Sequence, residues 1–167
     1  HFTVTVYQNG KIYQQEYERG KYLYDLKVIG DTDRTGTTIQ FWPEILSEEN
    51  PEGIFEAGVT FEYDTLRNRL REMAFLNKGV RIVFRDERPE EPKENDVCYE
   101  GGLREFVKFL NQHKQVLFPE PIYTEGIKDG ILVEMAMQYN DSYAENVYTF
   151  ANNIATPDGG THLAGFN

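Results

Sequence analysis

Asn9-Gly10 stands between two alternating runs and makes the start of this chain a β-hairpin. Phe2, Val4 and Val6 alternate with Thr3, Thr5 and Tyr7 before it, and Lys11 to Glu18 follows. The favoured two-residue hairpin turn needs positive φ at both central positions, which Asn and Gly accept most easily. Arg19-Gly20 closes the return strand. A short strand is predicted near Leu26 to Ile29, and another over Thr37 to Trp42. The second is stopped by Pro43, which lacks the N–H that a central ladder needs. These pieces predict an antiparallel meander.

Helical periodicity enters further on. Glu44 to Thr60 is polar, carries Pro51, Gly53 and Gly58, and reads as a loop. From Tyr63 to Asn77, Leu66, Leu70 and Met73 recur at i, i+4 and i+7 with Ala74 beside them, so one helical face is apolar. Asp64 suits the cap and the dipole, and Lys78-Gly79 is the stop. Val80 to Arg85 and Val97 to Tyr99 predict two strands across a charged loop, Asp86 to Glu94. Gly101-Gly102 opens a second helix, Leu103 to His113, with Leu103, Phe106, Val107 and Leu110 as its stripe. Gln115 to Pro121 reads as a linker. Ile122 to Glu125 and Ile131 to Tyr139 predict a hairpin over Lys128-Asp129-Gly130. A turn at Asn140-Asp141-Ser142, a strand over Glu145 to Asn152, a turn at Pro157 to Gly160 and a helical turn from Thr161 follow. The start on a strand without Met, and a helix that stops at Asn167, read as cut ends.

The 167 residues suit one domain, or one and a part. At 40% hydrophobic and 14% aromatic content the chain can build a core; burial of roughly 70% of the unfolded surface is usual at this length. The net charge of −11 argues against this segment lying along a phosphate backbone, and leaves a DNA track elsewhere in a larger enzyme open. Cys98 is the only cysteine, so no disulfide or zinc site forms within one chain, and a reducing cytoplasm is the simplest setting. No apolar run approaches the ~20 residues of a membrane helix, and no signal peptide is visible.

Isolated motifs carry little chemistry. There is no phosphate-binding P-loop, GxSxG, HExxH or paired CxxC. His1, His113 and His162 are scattered; His113 reads as a helix-end residue and His162 as a capping or packing residue near Asp158-Gly159-Gly160-Thr161. Glu87, Glu90, Glu91 and Glu94 lack the spacing of a calcium loop. Arg67, Arg69 and Arg71 alternate along a helix and make no single basic face. Thr35-Gly36-Thr37 admits two readings. It is a turn into a strand, or a ligand contact in which a threonine hydroxyl donates and accepts at a nucleobase edge while glycine allows the chain to turn. The residues alone leave both open.

A set of runs in fixed order resembles the B subunits of bacterial DNA gyrase and topoisomerase IV. They are Arg34-Thr35-Gly36-Thr37 into Phe41-Trp42-Pro43, Leu66 through Val80, Tyr99-Glu100-Gly101-Gly102, Gln138-Tyr139-Asn140-Asp141, and Gly159-Gly160-Thr161-His162-Leu163-Ala164-Gly165-Phe166. The resemblance covers essentially the whole chain. It implies an α+β fold, an antiparallel sheet with helices on one face, of the kind shared with Hsp90, MutL and sensor histidine kinases. Residues 1–120 would be the C-terminal part of the ATPase domain, and residues 121–167 the start of a transducer domain with a left-handed βαβ fold.

The resemblance also implies roles. Thr37 would hydrogen-bond the adenine region, Gly36 would allow the close turn, and Ile39 would line the adenine side of the pocket. Gln8 stands at the rim of the coumarin-inhibitor site, where family members often carry arginine; a glutamine cannot supply that charged, stacking contact. The family uses ATP and Mg2+, but its catalytic glutamate, magnesium-binding asparagine and glycine-rich lid precede residue 1, and its γ-phosphate lysine follows residue 167. No catalytic residue and no metal ligand is therefore expected here, and the segment alone is expected to be inactive. Implied partners are a gyrase A-type subunit, a second copy of the B-type chain in an ATP-dependent dimer, and DNA through other regions, with no membrane. The alternative is a stand-alone binding or structural module that has lost catalysis.

Overall fold

The computed structural model describes residues 1–56, 58 and 60–166. Ala57 and Val59 of the predicted loop, and the chain end at Asn167, lie outside the described residues. The chain divides into two compact units, residues 1–60 and 61–167.

The first unit is a five-stranded antiparallel sheet. Its strands are β1 (Phe2–Gln8), β2 (Lys11–Glu18), β3 (Lys21–Tyr22), β4 (Lys27–Asp31) and β5 (Gly36–Phe41). The order is β3-β2-β1-β5, with β4 also paired to β2. Asn9 and Gly10 take φ of 51° and 76°, as the hairpin turn requires. Arg19 and Gly20 repeat that geometry at 47° and 76°, so the chain does not simply end a strand there but turns back into the short β3. β5 starts one residue before the predicted strand and ends at Phe41. Beyond it the loop is tied down: Arg19 Nε donates to Glu44 Oε2 at 2.8 Å, Arg19 Nη1 donates to Glu52 at 3.2 Å, and Ile45 bridges Phe55.

The second unit holds all three helices found among the described residues. Its elements are α1 (Tyr63–Leu76), β6 (Ile82–Asp86), β7 (Lys93–Val97), α2 (Leu103–Leu110), β8 (Ile122–Lys128), β9 (Ile131–Met137), β10 (Phe150–Ala151), β11 (Ile154–Ala155) and α3 (Thr161–Phe166). Three antiparallel hairpins, β6-β7, β8-β9 and β10-β11, complete an α+β arrangement. Its core is aromatic. Phe75 stacks on Tyr99 at 3.6 Å and on Phe106 at 5.1 Å, with Phe109 tilted against it at 5.4 Å. Tyr148 meets Phe106 edge-on at 5.8 Å.

Several expectations for this unit change. The buried face of α1 is Ala74 and Phe75, whereas Met73 is 40% exposed, because the aromatic contacts with α2 draw α1 onto its Phe75 side. Asp64 sits in the first turn and pairs with Arg67 at 3.0 Å instead of capping the helix. The strand expected at Val97 to Tyr99 lies earlier, at Lys93–Val97. Pairing with β6, reinforced by the Arg81–Asp96 ion pair, overrides the alternation of the later residues. Helix α2 stops at Leu110, leaving His113 in the turn beyond it. The strand predicted over Glu145 to Asn152 is only the two residues of β10. Asn152 and Asn153, both at positive φ, turn the chain straight into β11. The stretch 115–121 is not a free linker, since Leu117 N–H donates to Tyr139 O and Asp141 N–H to Gln115 O.

Candidate functional site

The candidate site is built on the pairing of β1 with β5. Thr37 lies opposite Val6, Ile39 opposite Val4 and Phe41 opposite Phe2. Opposed residues in an antiparallel ladder share a face, and successive side chains alternate. Thr37 and Ile39 therefore share one face, about 7 Å apart along the strand. Gln8, two residues beyond Val6, belongs to the same face and pairs with Lys11 across the turn. Register thus brings three of the four candidate residues together. Ile39 is 59% exposed, and Phe41 and Val28 are exposed with it, so this face has an open apolar part beside the Thr37 hydroxyl and the Gln8 amide, while Tyr13, Gln15 and Tyr17 of β2 share the face further across the sheet.

Gly36, the fourth, lies opposite Tyr7 and contributes backbone geometry. Its φ is +145°, and no atom lies within 4 Å of where a Cβ would stand. The glycine is demanded by the dihedral that turns Thr35 into β5, not by crowding within this chain.

The opposite face is polar and already engaged. The Arg34 guanidinium lies 3.9 Å from the centroid of the Tyr7 ring. A hydrogen bond with Thr38, aided by Arg34, holds the Tyr7 phenol below its ordinary pKa against the desolvation that raises it. Gln14 Nε2 donates to Thr5 Oγ1 at 3.2 Å, and Tyr24 Oη donates to Glu16 at 2.9 Å. Thr37 and Thr38, adjacent in sequence, thus serve opposite faces. The charge nearest the candidate face is the Lys11–Asp31 pair, 2.5 Å apart, in the cross-strand row of Gln8. The Asp31 carboxylate raises the Lys11 ammonium, so this rim carries a satisfied pair. Nothing in the sequence singles out Lys11 except the Asn9-Gly10 turn, which places it opposite Gln8.

The remaining candidates resolve into structure. His1 packs on Trp42 at 5.5 Å between ring centroids and lies 3.5 Å from Glu16. His162 Nε2 shares a hydrogen bond with Thr156 Oγ1 at 3.1 Å. A Cβ on Gly159 would stand 2.9 Å from Leu163 Cδ2, and one on Gly160 would stand 2.8 Å from His162 Cε1. The Gly-Gly pair therefore makes room for side chains folding back from α3. Arg67 pairs with Asp64, Arg69 with Glu72, and Arg71 lies over the Phe109 ring at 5.1 Å. In the acidic hairpin, Arg88 holds the Asp86 carboxyl down to about 2. Among the described residues no three His, Cys, Asp or Glu side chains gather as a metal site. No helix among them is long and apolar enough to cross a membrane.

Comparison with known proteins gives these surfaces a context. The family model described as DNA gyrase B matches residues 102–167. DNA gyrase B of Staphylococcus epidermidis is 49% identical over 163 residues, covering 98% of this chain and 24% of its own length. That of Halalkalibacterium halodurans is 50% identical with the same coverage. The chain thus spans about a quarter of the length of the curated relatives it matches. Among solved structures, the 43K ATPase domain of Thermus thermophilus gyrase B, in complex with an aminocoumarin, superposes with a TM-score of 0.81. It has 33% identity, over 99% of this chain and 43% of that one. The gyrase B chain of Myxococcus xanthus has the same fold, at a TM-score of 0.81 and 21% identity.

Proposed function

The chain belongs to the DNA gyrase B family, as a homologue of about a quarter of that protein, and from this premise we propose that it forms one wall of an ATP site. In this reading Thr37 hydrogen-bonds the adenine edge, Ile39 lines the adenine side, Gly36 sets the turn and Gln8 stands at the rim. The observation that carries it is the single open face shared by Gln8, Thr37 and Ile39. Residues 1–120 are assigned to the end of the ATPase domain, and residues 121–167 to the start of a left-handed βαβ transducer. The parent activity is ATP-driven DNA strand passage in the cytoplasm. Its partners are a gyrase A-type subunit, a second copy of gyrase B and DNA held through other regions.

Mg2+ accompanies ATP in that chemistry, but the candidate face does not fit a metal. It presents hydroxyls, amides and apolar groups, and the carboxylate at its rim is taken by Lys11. No step is therefore assigned to a metal here, and no general base is assigned. These residues bind and orient one end of the nucleotide, and alone they do not hydrolyse it.

The test is a titration of this chain with a non-hydrolysable ATP analogue, followed by heteronuclear NMR. Resonances of Thr37, Ile39 and Val6 shift together, with an affinity in the millimolar range, about −4 kcal/mol. Micromolar affinity would mean that the one-wall picture is wrong. Shifts confined to Tyr7 and Thr38 would put the ligand on the other face.

A further inference from the structure

We infer that Asn111, Gln138 and Asn140 form an amide clamp that makes α2, the connection 115–119 and the β8-β9 hairpin one rigid body. The inference rests on the proposed boundary near residue 120, because it concerns how that junction behaves. Asn111, the C-cap of α2, is only 8% exposed. Its Nδ2 donates to Gln138 Oε1 at 2.9 Å, and its Oδ1 accepts from Asn140 Nδ2 at 2.9 Å. Gln138 Nε2 donates onward to Phe118 O at 2.8 Å and to Pro119 O at 3.3 Å. Gln138 thereby uses its carbonyl and its amino group at once, one toward the helix end and the other toward the connection.

The backbone repeats the tie. Leu117 N–H donates to Tyr139 O at 3.0 Å, and Asp141 N–H donates to Gln115 O at 2.9 Å. Val116 bridges Asn140, and the Phe118 ring meets Tyr139 edge-on at 6.1 Å. Connections ordinarily run over the surface with their polar groups in water. This one lies along the end of β9, with the carbonyls of Phe118 and Pro119 held by a side chain. A buried amide deprived of its partner is costly, so the three amides open together or not at all. All three are neutral, so pH and salt leave the clamp unmoved while they act on the ion pairs elsewhere on the chain. A rotation arising at α2 is then carried into the β8-β9 hairpin without loss at the junction, and any pivot lies outside residues 103–141.

Amide hydrogen exchange on the chain and on Gln138→Met, Gln138→Glu and Asn111→Leu tests this. Each substitution should speed exchange at Leu117 and Asp141 by about tenfold or more, while the amides of α1 and of the β8-β9 ladder keep their rates. Gln138→Glu still accepts from Asn111 but cannot donate to Phe118 O, so it should behave like Gln138→Met. The double variant Asn111→Leu/Gln138→Met should add little to either single change. Uniform acceleration across the unit, or no local change, overturns the clamp. A further check needs no substitution: the side-chain amide protons of Asn111 and Gln138 exchange slowly in the unaltered chain, and solvent-rate exchange there overturns the clamp as well. In the unaltered chain the clamp keeps this connection from limited proteolysis, and the proposed boundary is judged separately, by whether the Gln138→Met chain is cut near residue 120.

Discussion

The Phe75 ring lies over the Tyr99 ring with centroids 3.6 Å apart and planes 16° from parallel. Phe75 is 1% exposed and also touches Phe106 and Phe109, so one side chain joins α1, α2 and the segment after β7. Phe75→Ala should destabilise the second unit by about 3–5 kcal/mol, measured by urea unfolding. Met73→Ala, on the exposed side of the same helix, should cost far less. Equal losses would mean that Phe75 does not anchor this core.

Gly36 and Gly126 form a matched pair. A Cβ added to either would meet no atom within 4 Å, but only Gly36 has positive φ. Gly36→Ala should cost about 1–2 kcal/mol from the backbone alone. Gly126→Ala, in β8, should be neutral or slightly stabilising. Thermal melts of the two variants decide it: similar Tm values would remove the conformational argument for Gly36.

The acid limb of stability follows from two carboxylates. Hydrogen bonding to Arg19 lowers Glu44, and hydrogen bonding to Arg88 lowers Asp86, each to about 2 in the folded chain. Their ordinary values lie higher, so the unfolded chain binds protons first as pH falls. The stability from each pair is therefore full above the unfolded value, 4.5 for Glu44 and 3.8 for Asp86, and is lost as pH falls toward 2. Glu44→Gln and Asp86→Asn should flatten this limb without changing the neutral plateau in its slope. An unchanged acid limb in both variants would show that these pairs do not form in solution.

Thr37 and Thr38 should separate cleanly by substitution. Thr38→Val removes the hydrogen bond that lowers Tyr7, so the Tyr7 phenol should titrate higher, as followed by NMR of its ring carbon. Thr37→Val should leave Tyr7 alone and weaken the shifts caused by the ATP analogue. The reverse pattern would mean that the register of β5 is off by one residue.

The turns were the most legible part of the chain, because Asn9-Gly10 and Asp129-Gly130 carry their dihedral requirement in their residue types. Arg19-Gly20 hid its turn, since arginine is a poor marker of positive φ. The helices were legible as apolar stripes, but their buried edge was not. Met73 lies on the apolar stripe and Phe75 about 200° round the helix from it, and only the arrival of α2 shows that the Phe75 side is buried. The position of β7 was hidden because Lys93–Val97 is mostly polar and is fixed by its ladder with β6, so no apolar alternation marks it. The Thr-Gly-Thr run gave a candidate but not a face, because the pairing of β1 with β5 joins distant parts of the sequence. The amide clamp left no local trace, as its members meet across 27 and 29 residues.

The alternation along β5 gives this strand something like a reading frame. Positions 37, 39 and 41 face the open apolar surface, while 38 and 40 face the polar side where Tyr7 and Arg34 sit. Substitutions on one set can drift without disturbing the other. A one-residue insertion or deletion after Gly36 behaves differently: it exchanges the two sets at once, turning Thr38 and Gln40 toward the open face and placing Ile39 on the polar side. Such frameshifts in structure should be far rarer among relatives than point changes at the same positions, and Gly36, with its unusual dihedral, is the residue that fixes the frame.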